Sequence, residues 1–297
     1  MTPLKKRQTV TGYLFSLPWI AYFLVFMLYP LILAFKISFQ KVSVTQPHKA
    51  EFVGFGNWVK VAADPVFWKS VFNVIYNQSI FISLLFVISL GLALLLKEVT
   101  KGGAIFRTLY FLPVITSVTV AIAVFIVLLG VNGPVQQLLV SIGILDKPTD
   151  WMITKWWAMP IVAIFNSWKW FAIQMIIFLG GLMTINPEIY EAAEIDGAGW
   201  WQRFWNVTIP QLKPQIVFVS TMNIINGMQM FTESLMFFGS SGGPYKAGMT
   251  PVLYLYKTGF NDMDMGYASS IGLFLMLIIV VLTTVQWKIM NRNETKA

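Results

Sequence analysis

The 297-residue sequence contains no cysteine and only one histidine, His48. The absence of cysteine excludes disulfides, thiolate metal sites, iron–sulfur clusters and cysteine nucleophiles from this chain. The one histidine has no second histidine with which to share a metal ion, and it lies in a polar stretch. We therefore interpret His48 as a solvated loop residue and predict no metal site.

Charge is scarce as well. Charged residues make up 11% of the chain and hydrophobic residues 57%, whereas ordinary soluble domains carry about 25% charged residues. This composition indicates an integral membrane protein. The net charge of +8 would suggest a nucleic-acid partner in a soluble protein. Here the basic residues are spread through loops and membrane flanks, so no nucleic-acid partner is expected.

Long apolar runs are abundant instead. A helix needs about 20 mainly apolar residues to cross the hydrocarbon core. Six segments satisfy this: 13–35, 74–96, 108–130, 156–183, 214–239 and 266–287. The first, second, third and sixth carry no charge, the fourth carries only Lys169, and the fifth carries only Glu233. The sequence therefore predicts an all-α integral membrane protein with six transmembrane helices.

The N-terminus predicts how these spans are oriented. The basic run from Lys5 to Arg7 precedes an apolar segment that is too long for a signal-peptide core of 7–15 residues, and no A-x-A site follows it. We expect a retained first helix in the cytoplasmic (inner) membrane. Six spans place both termini on one side, and basic flanks favour the cytoplasm. Other basic residues agree with this orientation: Lys97, Lys101, Arg107, Lys288, Arg292 and Lys296.

Two shorter features lie between the spans. Residues 132–145 carry an apolar stripe too short to cross the membrane, which predicts a helix on the outer surface or against the bundle. Residues 186–214 predict two short helices with a corner. Asn186 can cap the first helix, Pro187 suits its first position, and Gly197 can adopt a left-handed end. Pro210 and Pro214 should interrupt the path into the fifth span.

Residues 186–214, called the elbow from here on, resemble a known element. The residues Glu191-Ala192-Ala193, Asp196-Gly197-Ala198, Phe204, Ile209-Pro210 and Pro214 resemble the EAA loop of type I ABC-importer permeases. Farther on, the run Ser240-Ser241-Gly242-Gly243-Pro244 resembles the G-G-P loop of MalF-type carbohydrate permeases. It departs from that group at Ser240 and Ser241, where Thr and Gly are usual.

The resemblance implies one transmembrane permease domain of the MetI-like fold over residues 1–297. It implies alternating access for a sugar or oligosaccharide, in the lipid bilayer, with a second homologous permease, two copies of an ABC ATPase and an extracellular or periplasmic solute-binding protein. The expected ATPase-coupling residues are Glu191, Ala192, Ala193, Asp196, Gly197, Ala198, Phe204 and Pro210. The chain has no Gly-Lys dipeptide and hence no P-loop. ATP and magnesium should therefore bind the partner ATPase, and this chain should be neither an enzyme nor a cofactor-binding subunit.

Polar residues inside the spans predict a substrate path. In the fifth span Asn223, Asn226 and Glu233 fall on one face of a helix, and a continuous helix would place Glu233 about 15 Å beyond Asn223. In the fourth span Asn166, Trp170 and Gln174 recur every four residues. Such groups are costly in lipid, so they should face the bundle interior or a cavity. The substrate-path candidates are Asn166, Lys169, Trp170, Gln174, Asn223, Asn226 and Glu233.

Other interpretations of these residues stay open. Amides also join transmembrane helices by hydrogen bonds, a role we favour for Asn73 and Asn77 of the second span. Lys169 and Glu233 could simply pair. At the level of function, an ion-coupled secondary transporter is the main alternative, although no internal repeat is found. An intramembrane enzyme is disfavoured, because the spans contain no histidine, cysteine or paired carboxylates.

Overall fold

The computed structural model describes residues 3–43, 45–99 and 102–291, so the predicted flanking charges Lys101, Arg292 and Lys296 lie outside the described residues. The fold is almost entirely helical. The helices are α1 Pro3–Tyr22, α2 Tyr29–Ser38, α3 Gly56–Ala63, α4 Pro65–Glu98, α5 Gly103–Ile115, α6 Val118–Leu129, α7 Pro134–Ser141, α8 Ala158–Thr184, α9 Pro187–Ile195, α10 Trp200–Arg203, α11 Ile209–Gln211, α12 Lys213–Met228, α13 Thr232–Phe238, α14 Pro251–Tyr256 and α15 Met265–Asn291.

Shorter elements complete the backbone. π-helical turns occupy Phe23–Leu28, Phe204–Thr208 and Lys257–Asn261, and single 3₁₀ turns occupy Pro47–Lys49 and Pro244–Lys246. Two short antiparallel strands, β1 (Gln40–Lys41) and β2 (Glu51–Phe52), pair with Gln40 opposite Phe52. His48 lies exposed in the turn between them, as predicted for a solvated loop residue.

By internal packing the chain forms two units. One comprises Met1–Asp64 and Leu255–Phe274. Within it the Asn57 amide donates to the carbonyl oxygens of Ser38 (3.0 Å) and Gln40 (2.9 Å), which fixes the end of α2 beside β1. The other comprises Pro65–Tyr254 and Leu275–Ala297. The expectation of a single permease domain stays a prediction.

Four predicted spans are helices of the expected length. The first runs over Thr11–Ser38, through a π-helical turn, and the second, fourth and sixth correspond to Pro65–Glu98, Ala158–Thr184 and Met265–Met290. A helix forms within the predicted stretch 132–145, as α7. Together with α6 it makes an apolar stretch, Val118–Ser141, that is long enough to cross a membrane, so the placement of α7 on the outer surface stays a prediction.

The third span was predicted as one continuous helix over 108–130, and this is wrong. Helix α5 ends at Ile115 and α6 begins at Val118, with Thr116 and Ser117 extended between them (ψ 145° and 130°). Pro113 lies near the end of α5 and donates no backbone hydrogen bond, so the helix is already weakened there. The interruption leaves carbonyl oxygens of α5 without helical partners.

The fifth span, predicted over 214–239, is also interrupted. Helix α12 ends at Met228, and Phe231 has a non-helical backbone (φ −131°, ψ −58°) before α13 begins at Thr232. The freed Met230 carbonyl accepts a hydrogen bond of 2.7 Å from the Thr250 hydroxyl. Asn223 and Glu233 therefore lie on different helices, and the expected 15 Å rise along one helix does not apply.

The core of the larger unit lies where α4 and α8 pack along each other. Its buried side chains are Leu90, Ala93, Leu96, Met175, Phe178, Leu179, Leu182, Ile185, Leu212 and Val219. Gly181 of α8 permits close approach of α12, since a Cβ there would lie 2.6 Å from the Gln215 side chain. This packing fixes α8 and α12, the two helices that carry most of the predicted substrate-path residues.

Candidate functional site

A cavity of about 620 Å³ lies among α4, α8, α12 and α13. Its volume falls within the range of about 300–1,000 Å³ that is usual for small-molecule sites. The residues that line it are Gln78, Phe81, Asn166, Trp170, Ile173, Gln174, Ile177, Phe218, Met222, Asn223, Asn226, Gly227, Gln229, Met230, Phe231, Thr232 and Glu233. Carboxamides and aromatic rings dominate the functional groups of this lining.

Six of the seven predicted substrate-path residues lie in this lining. They are Asn166, Trp170, Gln174, Asn223, Asn226 and Glu233. The interruption of the fifth span does not separate them, because the short link 229–231 also lines the cavity. Their contact with substrate stays a prediction, but the structure brings them to one place.

The buried amides of the cavity are only partly satisfied. The Asn166 Nδ2 contacts the Met230 sulfur at 3.6 Å, while Asn166 Oδ1 has no hydrogen-bond partner. The Gln174 amide donates to Asn223 Oδ1 at 3.2 Å, while Asn223 Nδ2 has no partner. These side chains therefore join neighbouring helices with one end and leave the other end free. Helix joining and substrate binding, the two open interpretations, are compatible at Asn166 and Asn223.

Gln78 of the second span also has one unpaired amide atom, although its hydrogen bond stays within α4. Its Oε1 is buried without a partner, while its Nε2 donates to Asn77 Oδ1 at 3.3 Å. Five buried side-chain polar atoms in the described residues lack a partner, and three of them belong to residues of this cavity. Each such atom costs about 1–3 kcal/mol of desolvation.

Lys169 is the one predicted substrate-path residue that does not line the cavity, and its role in the substrate path stays a prediction. Its side chain is 1% exposed, and its ammonium donates to the carbonyl oxygens of Pro113 (2.5 Å), Val114 (3.2 Å) and Thr116. The proposed pair with Glu233 is also absent from the described residues. Lys169 is directed toward the end of α5 because the interruption of the third span leaves several carbonyl oxygens there without helical donors.

The elbow forms as predicted. The Asn186 side chain accepts a hydrogen bond of 3.1 Å from the Glu188 backbone, Pro187 begins α9, and Gly197 ends the turn in the left-handed region (φ +78°). Two contacts then tie α9 to the following helices. Arg203 pairs with Glu194 at 2.8 Å, and the Tyr190 and Thr208 hydroxyls lie 3.0 Å apart. The two contacts therefore hold α9 against both α10 and the π-helical turn that follows it.

The solvent-exposed surface of the elbow is apolar as well as acidic. Glu191, Ala192 and Asp196 are exposed, and Ala193 is half-buried. Next to them Ile195 is 87% exposed, and the aromatic rings of Trp200, Trp201, Phe204 and Trp205 contact one another. Helix α11 continues through Pro210, and the chain turns at Leu212 before α12 begins. An exposed apolar surface of this kind marks an interaction site.

The family described as binding-protein-dependent transport system inner membrane component matches residues 69–293. The chain belongs to this family. The matched segment contains the cavity and the elbow, so both are parts of an importer permease. The same finding sets aside the secondary-transporter and intramembrane-enzyme alternatives, although the interrupted spans are a feature that secondary transporters share.

Individual relatives of the permease are sugar transport proteins. The arabinooligosaccharides transport system permease protein AraP of Halalkalibacterium halodurans is 37% identical over 94% of this chain and 87% of its own length. The lactose transport system permease protein LacF of Rhizobium radiobacter is 34% identical over 96% of this chain and 95% of its own length.

A solved structure agrees with these relatives. A chain of a bacterial alginate ABC transporter, in complex with an alginate pentasaccharide-bound periplasmic protein, matches with a TM-score of 0.80 and 25% identity. The match covers 98% of this permease and 97% of that chain. The permease therefore has the MetI-like importer fold and is a multi-pass subunit of a carbohydrate ABC importer.

The sequence did not predict the contributions of Gln78 from the second span or of Gln229 and Phe231 from the link 229–231. Gln78 follows Asn77, whose amide donates to the Met159 carbonyl at 2.9 Å and so has the packing role expected of it. Asn73 likewise donates to the carbonyl oxygens of Lys246 and Met249. The signal in the sequence for Gln78 was a second amide side chain, directly after Asn77, in a span without charged residues.

Proposed function

We propose that this permease carries a neutral sugar or oligosaccharide through the cavity among α4, α8, α12 and α13. The observation that supports it most is the set of unpaired buried amide atoms on Gln78, Asn166 and Asn223. A carboxamide offers both a donor and an acceptor, as a sugar hydroxyl does. A sugar with several hydroxyls can therefore satisfy these atoms together.

The aromatic lining supports the same class of ligand. Trp170 contributes its ring from α8, and Phe81, Phe218 and Phe231 contribute theirs from the other walls. A pyranose or furanose ring has an apolar C–H face that packs on an aromatic ring, while its hydroxyl groups point to the rim. An alternation of rings and amides thus suits a carbohydrate better than a purely apolar or a purely ionic ligand.

The charge of the lining distinguishes between classes of sugar. Glu233 is the one ionisable side chain among the described residues that line the cavity, and no lysine, arginine or histidine occurs there. Recognition of carboxylates and phosphates relies on arginine and lysine. The nearby cation, Lys169, is directed into backbone carbonyls instead. We infer that the cavity favours neutral over acidic or phosphorylated sugars.

The elbow supplies the connection to the energy source. We infer that its exposed helix α9, with Glu191, Ala192 and Asp196, docks in a groove of an ABC ATPase that binds ATP and magnesium. Two ATPase copies, a second homologous permease and a solute-binding protein would complete the complex, and both termini of this chain would be cytoplasmic. The left-handed Gly197 and the Arg203–Glu194 pair set the angle between α9 and α10, through which motion would be relayed.

Reconstituted transport tests the substrate class. The complete importer in proteoliposomes, supplied with its binding protein, should take up lactose or arabino-oligosaccharides and should not take up oligosaccharides of uronic acids. Asn223→Leu should lower sugar uptake per ATP hydrolysed by about tenfold, the effect of one lost hydrogen bond in a dry site. Gln137→Ala, on the exposed α7, is the matched control and should transport normally. Preferential uptake of the acidic sugars would contradict the proposal.

A further inference from the structure

Lys169 is a buried cation without an acidic partner. It lies in the middle of the fourth span, and its side chain is 1% exposed. No carboxylate contacts it among the described residues, although ionisable groups inside membrane spans are costly and normally have a partner.

The partners of Lys169 are the carbonyl oxygens at the end of α5. Those of Pro113 (2.5 Å), Val114 (3.2 Å) and Thr116 accept its hydrogen bonds, and the Thr116 hydroxyl lies 3.3 Å away. The third span is interrupted at this point, so these oxygens have lost their helical donors. They also form the negative end of the α5 dipole. The ammonium therefore closes the helix end that the interruption opens.

The same ammonium also contacts the wall of the cavity. It lies 5.5 Å from the centre of the Trp170 ring, within the range of a cation–π interaction. Trp170 lines the cavity, whereas Lys169 does not. The Lys169 ammonium, which lies outside the cavity, thus contacts both the carbonyl oxygens at the break in the third span and an aromatic ring that faces the proposed sugar.

The two halves of the third span pack against different walls. Helix α5 packs on α8, which carries Trp170, while α6 packs on α13, which carries Glu233. The extended residues Thr116 and Ser117 join these halves. A change of angle at this joint would alter the carbonyl positions that Lys169 binds, and with them the environment of the Trp170 ring.

We propose that Lys169 is a positioning residue for transport. It ties the break in the third span to the Trp170 ring, so that movement of α6 and α13 during the transport cycle reorients the aromatic face on which the sugar packs. This inference rests on the proposed function, because it takes the cavity as the path of the sugar.

A spectroscopic test needs no sugar and so separates this inference from the proposed function. The complete importer is labelled with 5-fluorotryptophan, and the ¹⁹F resonance of Trp170 is assigned by its loss in Trp170→Phe. Lys169→Met should shift or broaden this resonance. The control is Trp157, which directly precedes the same helix and whose ring packs on Trp151 (6.3 Å between centroids), and its resonance should stay unchanged. An unmoved Trp170 resonance, or equal changes at both residues, would overturn the proposal.

Transport provides the second measurement. Lys169→Met and Trp170→Leu should each lower uptake of lactose or arabino-oligosaccharide per ATP by about two- to thirtyfold, the range of one cation–π contact. The double variant should be no worse than the poorer single variant, since both remove one linkage. Additive losses would contradict the linkage.

If Lys169→Met does not assemble, Lys169→Arg replaces it, because it keeps the cation but changes its shape. The arginine variant should still move the Trp170 resonance. An assembled arginine variant with a wild-type resonance, or failure of both variants to assemble, would show a purely structural residue and overturn the proposal.

Discussion

At the scale of single residues, three amide side chains of the cavity each have one amide atom in contact with a partner and the other without one. Asn166, Asn223 and Gln78 each have a buried polar atom without a partner. A fully hydrogen-bonded network would stabilise the bundle more, but it would offer a sugar nothing to bind. The unpaired atoms are consistent with the proposed sugar site, which its ligand would complete.

Gly227 provides a residue-scale prediction. A Cβ at this position would lie 2.1 Å from Cδ of Gln78, so Gly227→Ala must displace that amide from the cavity wall. We expect a loss of about 1–3 kcal/mol in stability from overpacking, with lower sugar uptake per ATP. Both are measured on the reconstituted importer, by thermal unfolding and by uptake.

Two variants check the cause of this effect. Gly180→Ala is the matched control, because a Cβ there meets nothing within 4 Å. Combining Gly227→Ala with Gln78→Ala should restore stability, since the collision is then removed. If the double variant is as unstable as Gly227→Ala alone, the amide is not the group that the methyl displaces.

At the scale of elements, helix-period spacing located the cavity residues even though one helix is broken. Asn166, Trp170 and Gln174 share a face because α8 is regular over its whole length. Glu233 reaches the cavity for a different reason, since it begins the separate helix α13. The interruption at 229–231 contains neither glycine nor proline and is held by a tertiary contact, Thr250 to the Met230 carbonyl. Local sequence cannot reveal such a break.

The elbow gives the element-scale prediction. Gly197 has φ +78° with no atom near its Cβ position, so any substitution there is strained by the backbone alone. A non-glycine residue costs about 1–2 kcal/mol in this region, and a β-branched residue costs more. Gly197→Val should lower uptake per ATP by at least about tenfold while the spans stay assembled. Gly199→Ala is the control, because φ is −66° at Gly199. Equal coupling in the two variants would rule out a constrained corner.

At the scale of the whole molecule, the charges are placed so that no cationic side chain lines the proposed transport path. The chain carries +8 overall, yet the one buried lysine of the fourth span is used to close a helix end. Composition and spacing predicted a polar path in the membrane. They could not place Lys169, because its partners are backbone carbonyls that become available only where the third span breaks.

Substitution of Glu233 tests this arrangement of charge. It is the ionisable residue of the cavity, and it lies in the first turn of α13, where the helix dipole favours an anion. Since Lys169 does not pair with it, Glu233→Gln leaves no unpaired cation, and the importer should assemble with normal stability. Loss of the negative charge should raise uptake of uronic-acid oligosaccharides relative to lactose. Adding Lys169→Met should not reverse this change, because the two residues act separately. Full transport with an unchanged preference in Glu233→Gln would show that the carboxylate does not face the sugar path.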